Sequence, residues 1–175
     1  MLPSLCFGTS GLGNMPDTYG YEVDENRARK TLNAIFDSPI NFLDTSNNYG
    51  FGRSEKRIGN VLRERGGLPN GFVISTKVDR DMENGIFDAN RTRRSVEESL
   101  TRLGLEKVQI LHLHDPEHAR DLHEITCKGG ALDELFKIKE EGLAEAVGLA
   151  MGRLDVMESI LWDWPFDALM NHNRW

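Results

Sequence analysis

Short apolar runs alternate with longer amphipathic stretches along the whole chain, and this alternation predicts two kinds of element. "LCFG" (5–8), "INFLD" (40–44), "GFVISTKV" (71–78), "KVQILHLH" (107–114), "AEAVGLA" (144–150) and "FDALMN" (166–171) read as six strands. Turn formers such as Asn70-Gly71 and Asp115-Pro116 bound them. Between the runs, apolar residues recur at helical spacing. Asp24 is placed to cap a helix carrying Ala28, Leu32, Ile35 and Phe36. Ser54 is expected to cap the next, with Ile58, Val61 and Leu62 as its stripe and Gly66-Gly67 as its stop. Asp88 opens a third with Val96, Leu100 and Leu103, ended by Gly104. "ALDELFKIKEEG", with Leu132, Leu135 and Phe136 inward, and "RLDVMESILWDW" complete the set.

Strict βα alternation implies parallel strands joined by crossover helices. An open doubly wound sheet and a (β/α)8 barrel both fit. In "GTSGLGNM" the glycines stand at 8, 11 and 13, which is the wrong spacing for a GxGxxG phosphate turn and not at a helix start. A dinucleotide-binding reading of that loop is therefore weak. With 175 residues, 39% of them hydrophobic, the chain is expected to form a single domain over residues 1–175. A complete barrel needs about 200 residues or more. The expectation is an incomplete (β/α)8 barrel of about six βα units, truncated on its C-terminal side, with two unpaired strand edges and an uncovered apolar face.

Charge narrows the partners. A net charge of −7 argues against nucleic acid or an anionic membrane surface. The densest basic patch, Arg91, Arg93 and Arg94, is followed at once by Glu97 and Glu98 and reads as a solvated helix face. Cys6 and Cys127 show no CxxC spacing, so neither a disulfide framework nor a thiolate metal site is suggested. No apolar run approaches the ~18 residues of a membrane span, and no signal-peptide pattern opens the chain. A cytoplasmic protein acting on a small molecule is expected.

The polar residues at the strand ends carry the chemistry. Asp44 ends the second predicted strand, Lys77 lies at the end of the third, and His114 ends the fourth. In a barrel, the carboxyl ends of the strands form the ring where active sites are built. Each continues one face of its strand: Phe42 with Asp44, Val73 and Ser75 with Lys77, Ile110 with His114. Asp44 and Lys77 can pair, and the Lys77 ammonium would then ease proton transfer from Tyr49, whose phenol titrates near ~10 in water. His114 would donate a hydrogen bond to the same substrate oxygen. Such a set suits carbonyl reduction, in which hydride reaches carbon and a proton reaches oxygen.

Two other readings compete. His112-x-His114 has the spacing of two strand ligands in a metal-dependent hydrolase, with Asp115, His118, His123 and Asp44 as further ligands. Against it, His112 also reads as an inward polar residue with a satisfied hydrogen bond, and no second ligand cluster follows. The other alternative is an inactive fragment of a longer enzyme.

"FLDTSNNYGFGRSE", "FVISTKV" and "ILHLHDP" resemble the signature blocks of the aldo-keto reductases, in the family's order. "FGTSGLGNM" and "RSEKRIG" resemble the branch that contains the D-threo-aldose (fucose) 1-dehydrogenases. The resemblance covers nearly the whole chain. It implies a catalytic tetrad of Asp44, Tyr49, Lys77 and His114, with Tyr49 as acid in reduction and base in oxidation. It further implies that Gly8, Thr9 and Asp44 line the cofactor, which would be NADP or NAD, and that the substrate is a small carbonyl compound or sugar. No metal is implied. Where many family members carry Ser-Asn after the fifth strand, this chain has Ala150-Met151, and Asn171 or His172 stands for the sixth-strand Gln. The seventh and eighth units, the nicotinamide-stacking aromatic and the 2′-phosphate loop would lie beyond Trp175, so cofactor affinity is expected to be weak.

Overall fold

The computed structural model describes residues 2–172. In chain order the elements are β1 (Phe7–Gly8), a 3₁₀ turn (Ser10–Gly13), α1 (Pro16–Tyr19), α2 (Glu25–Phe36), β2 (Phe42–Asp44) and α3 (Arg53–Arg65). Then come β3 (Val73–Val78), α4 (Ala89–Leu103), β4 (Val108–His114), a second 3₁₀ turn (Pro116–His118), α5 (His123–Thr126) and α6 (Ala131–Glu140). Last are β5 (Ala144–Met151), α7 (Leu154–Leu161) and β6 (Ala168–Asn171). The six strands follow one another in the sheet in chain order. β1 with β2, β2 with β3 and β5 with β6 pair in parallel, and Gly8 stands opposite Asp44, which in turn stands opposite Ser75.

By contacts the chain divides into two compact units. One comprises Met1–Thr76 and Glu98–Val108, the other Lys77–Glu97 and Gln109–Trp175.

In the first unit, Asp24 caps α2 by accepting the Arg27 N–H at 2.7 Å. Ala28, Leu32, Ile35 and Phe36 form the buried stripe of α2, and Phe36 meets Phe72 with ring centroids 5.0 Å apart. Two expectations shift here. β1 starts at Phe7 because Leu5 and Cys6 are exposed and outside the ladder. Ser54 does not cap α3: the helix starts at Arg53, after Gly52 in the left-handed region (φ 84°), and makes no side-chain cap bond. The Ser54 hydroxyl is instead drawn to β1. At its other end α3 stops on Gly66 (φ 82°), whose N–H donates to the Arg63 carbonyl while the Gly67 N–H reaches Leu62. A Cβ on Gly59 would lie 2.0 Å from the Arg102 carbonyl oxygen, so only glycine lets α3 approach residues 98–103 so closely.

In the second unit, Leu132, Leu135 and Ile138 bury one face of α6, which packs on β5. Phe136 is half-buried and meets Trp164 and Phe166 at 5.3 and 5.6 Å between centroids. Lys139 pairs with Asp167 at 2.6 Å, and Asp167 also accepts the Val147 N–H, which ties α6 to β5. α7 lacks a cap of its own. Glu117 supplies one from the turn after β4, accepting the Gly152 and Arg153 N–H groups at 2.7 and 3.1 Å. Among the described residues no helix is long and apolar enough to cross a membrane.

Candidate active site

In the first unit the site is built where β1 and β2 end. Asp44 is the last residue of β2 and is buried, and its Oδ1 accepts the Ser75 hydroxyl at 2.9 Å. Its carbonyl accepts both the N–H and the hydroxyl of Thr9, at 3.0 and 2.9 Å. Ser54 Oγ sits 3.0 Å from both the hydroxyl and the carbonyl of Thr9, and Thr45 donates to Ser54 at 3.2 Å. Thr9, Thr45 and Ser54 are wholly inaccessible to solvent, so each hydroxyl finds its partner inside the protein. A Cβ on Gly8, by contrast, would meet nothing within 4 Å, which leaves open space beside the end of β1.

Tyr49, half-buried, lies in the turn between β2 and α3. Its N–H donates to Ser46 at 3.3 Å, and its carbonyl accepts from Ser54 at 3.1 Å. The turn crosses Ser10–Gly13 backbone against backbone. A Cβ on Gly50, where φ is +61°, would lie 2.0 Å from the Gly13 oxygen. Arg53 fastens the crossing by donating to the carbonyls of Gly13 and Asn14 at 2.8 and 3.1 Å.

From the other side, Arg102 donates to the Asn47 carbonyl at 3.0 Å and to Glu55 at 3.2 Å, and the Asn47 side chain donates to Glu98 and Ser99. Glu55 is completely buried and also accepts the Thr76 hydroxyl at 2.6 Å. Burial pushes its carboxyl above the usual range, while the hydrogen bonds from Thr76, Ser99 and Arg102 and the charge of Arg102 pull it back.

The second unit holds Lys77 and His114. Lys77 is the penultimate residue of β3 and is 1% exposed. His114 is the last residue of β4, and its Nδ1 lies 2.7 Å from Oδ1 of Asp79. Asp79 is itself buried and doubly held: its N–H donates to Ser95 at 2.9 Å and its carbonyl accepts Arg91 Nε–H at 3.0 Å. Next to His114, Asp115 takes a left-handed conformation (φ 45°) and donates its N–H to the Ala150 carbonyl at 2.8 Å. Aspartate tolerates that region better than most residues.

Sequence reasoning passed over Asp79, Glu55 and Arg102. For Asp79 a signal existed: it continues the row Val73, Ser75, Lys77 one position past the strand. Glu55 and Arg102 lie 47 residues apart, and no local pattern joins them. His112 is buried with its ring over Gly148, where a Cβ would lie 2.3 Å from Nδ1. Among the described residues no group of three or more His, Cys, Asp or Glu side chains is arranged to hold a metal ion. Ala150 and Met151 are buried in β5, and the Asn171 amide donates to the Met151 carbonyl at 2.7 Å.

The sequence model of the Aldo/keto reductase family matches residues 4–175. The chain belongs to that family. It is 37% identical over 155 residues to the L-galactose dehydrogenase of Arabidopsis thaliana, covering 89% of this chain and 46% of that protein. It is 29% identical over 199 residues to the D-threo-aldose 1-dehydrogenase of a Pseudomonas species, covering 99% and 57% respectively. Among solved structures, the holo form of aldo-keto reductase AKR11C1 from Bacillus halodurans superposes with a TM-score of 0.77 over 98% of this chain and 53% of that one, at 22% identity. That likeness establishes the fold: the (β/α)8 barrel type in incomplete form, with six strands among the described residues. The chain spans about half the length of the curated relatives it matches.

Proposed function

We propose that this aldo/keto reductase chain interconverts a carbonyl compound and an alcohol, or a sugar lactone and its lactol, with NADP or NAD as the hydride partner. The observation that carries the reading is positional. Asp44, Lys77 and His114 stand within the last two residues of three strands, and Tyr49 follows Asp44 by five residues in a braced turn. Tyr49 acts as general acid in reduction and as base in oxidation. The Lys77 ammonium, with Asp44 as its counter-charge, stabilises the phenolate, and His114 contacts the substrate oxygen.

A nicotinamide, when bound, supplies or removes the hydride. Gly8, Thr9 and Asp44 would hold it at the ends of β1 and β2, where a Cβ on Gly8 would meet nothing within 4 Å. The names of the two sugar-dehydrogenase relatives favour a small sugar or aldehyde as substrate. Two cysteines without CxxC spacing favour the cytoplasm as its compartment.

The test is to titrate NADPH and NADH while following tryptophan fluorescence, then to assay lactol oxidation and aldehyde reduction. Saturable quenching is expected, with Tyr49→Phe binding cofactor like the wild type and losing about 10²- to 10⁴-fold in turnover. Full turnover by Tyr49→Phe overturns the assignment of the acid. No binding at millimolar cofactor overturns the activity in favour of an inactive fragment.

A further inference from the structure

The turn after Tyr49 carries a residue that the proposed chemistry does not use. Gly50, Phe51 and Gly52 all take the left-handed region, at φ 61°, 57° and 84°. Glycine does so without strain, whereas a bulky side chain seldom does. Phe51 carries a second cost, since it is 83% exposed. It lines a cavity of about 560 Å³ together with Arg53, Lys56, Arg57 and Arg102. That volume is in the range of small-molecule sites. We propose that this cavity binds an aryl phosphate, with the ligand's ring on Phe51 and its phosphate on Arg53 and Lys56.

The four cations differ in what already holds them. Arg57 is buried, paired with Glu25 at 2.8 Å and bonded to the carbonyls of Leu12 and Val23. Arg102 is engaged by Glu55 and Glu98. A Cβ on Gly52 would strike the Arg102 guanidinium, so that wall of the cavity is packed before any ligand arrives. Among the described residues no carboxylate pairs with Arg53 or Lys56. Arg53 gives Nη1 to the carbonyls of Gly13 and Asn14, which fix the guanidinium without neutralising it and leave Nη2 and Nε to a ligand. Lys56 is exposed and follows Arg53 by three residues on α3, so the two side chains are neighbours on the helix surface. In a chain of net charge −7, the cavity thus holds two cations without a counter-charge. A phosphate suits them, because an arginine fork and a lysine point charge both grip its oxygens. A bare anion would leave Phe51 without a role, whereas a ring bonded to the phosphate covers its exposed face.

The test is isothermal titration calorimetry of the full chain with phenyl phosphate, in phosphate-free buffer at low salt, beside inorganic phosphate and phenol. It needs neither cofactor nor turnover, so it stands apart from the proposed activity. Saturable binding of phenyl phosphate is expected, about tenfold tighter than inorganic phosphate, with no saturable binding of phenol. Lys56→Gln should weaken both phosphates by about tenfold. Phe51→Asn, which keeps a residue tolerant of the left-handed backbone, should weaken phenyl phosphate alone, to the level of inorganic phosphate. Both positions are exposed, so both variants are expected to fold. No saturation at millimolar phenyl phosphate overturns the proposal, and so do equal wild-type affinities for phenyl and inorganic phosphate. Phenyl phosphate binding left unchanged by either substitution also overturns it.

Discussion

The Thr76 hydroxyl donates to the Glu55 carboxyl across 2.6 Å, one residue before Lys77 on the same strand. Glu55 thus links the strand that carries Lys77 to the helix that follows the Tyr49 turn, without access to water.

That position makes Glu55 a source of pH-dependent stability. Burial raises its carboxyl above the ordinary value of 4.5. For a raised pKa, the contribution to stability is fully present below the unfolded value and is lost as pH rises through the folded one. Urea denaturation of wild type and Glu55→Gln at several pH values should therefore diverge. The wild type should lose stability relative to the variant as pH climbs above about 4.5. A difference that stays constant with pH would disprove the burial argument.

Arg102 brings a guanidinium to Glu55, and it also grips the Asn47 carbonyl. Arg102→Ala should cost about 3 kcal/mol, because a buried carboxylate loses its cationic partner. Since Arg102 is itself partly exposed, solvent screening lowers rather than raises that figure. In the double variant with Glu55→Gln the losses should fall short of their sum by about 1 kcal/mol, measured as a double-mutant cycle. Strict additivity would mean that the two side chains act separately.

The crossing of Gly50 over Gly13 predicts a contrast between two glycines of similar φ. Gly66→Ala meets nothing within 4 Å and should cost about 1 kcal/mol for its left-handed backbone alone. Gly50→Ala adds a collision with the Gly13 oxygen and should cost about 2–4 kcal/mol. It should also lower turnover by displacing Tyr49. Equal urea midpoints for the two variants would show that the crossing relaxes freely.

Gly148 makes room for the His112 ring. Gly148→Ala should destabilise by about 1–3 kcal/mol in thermal or urea unfolding. His112→Ala in the same background should recover part of the loss, since the neighbouring Ala168 carbonyl still crowds the new methyl. No recovery would remove His112 from that packing role.

Much of this fold is legible in the sequence because its signals are periodic. The stripe Ala28, Leu32, Ile35, Phe36 and the cap Asp24 appear in the structure as read, and so do Asp88 and Gly104 at the ends of α4. Two of the failures share a cause, which is a distant partner. Ser54 has the chemistry of a cap, but Thr9, 45 residues away, takes its hydroxyl. "LCFG" is apolar throughout, yet only Phe7 and Gly8 find β2 beside them. α1 and α5 are four residues each, too short for any period to show. At the site, strand parity located Asp44, Lys77 and His114 at strand ends. Asp79 was missed because Asp-Arg just past a strand looks like a turn, and its buried partners Ser95 and His114 lie 16 and 35 residues further on.

The hydroxyl chain from Thr45 through Ser54 and Thr9 to the Asp44 carbonyl contains no ionised group. Ionic strength, which weakens exposed pairs such as Arg29 with Glu64, has nothing there to screen. Added salt therefore leaves the strand end beneath Asp44 with its geometry unchanged, while it loosens exposed pairs elsewhere on the surface.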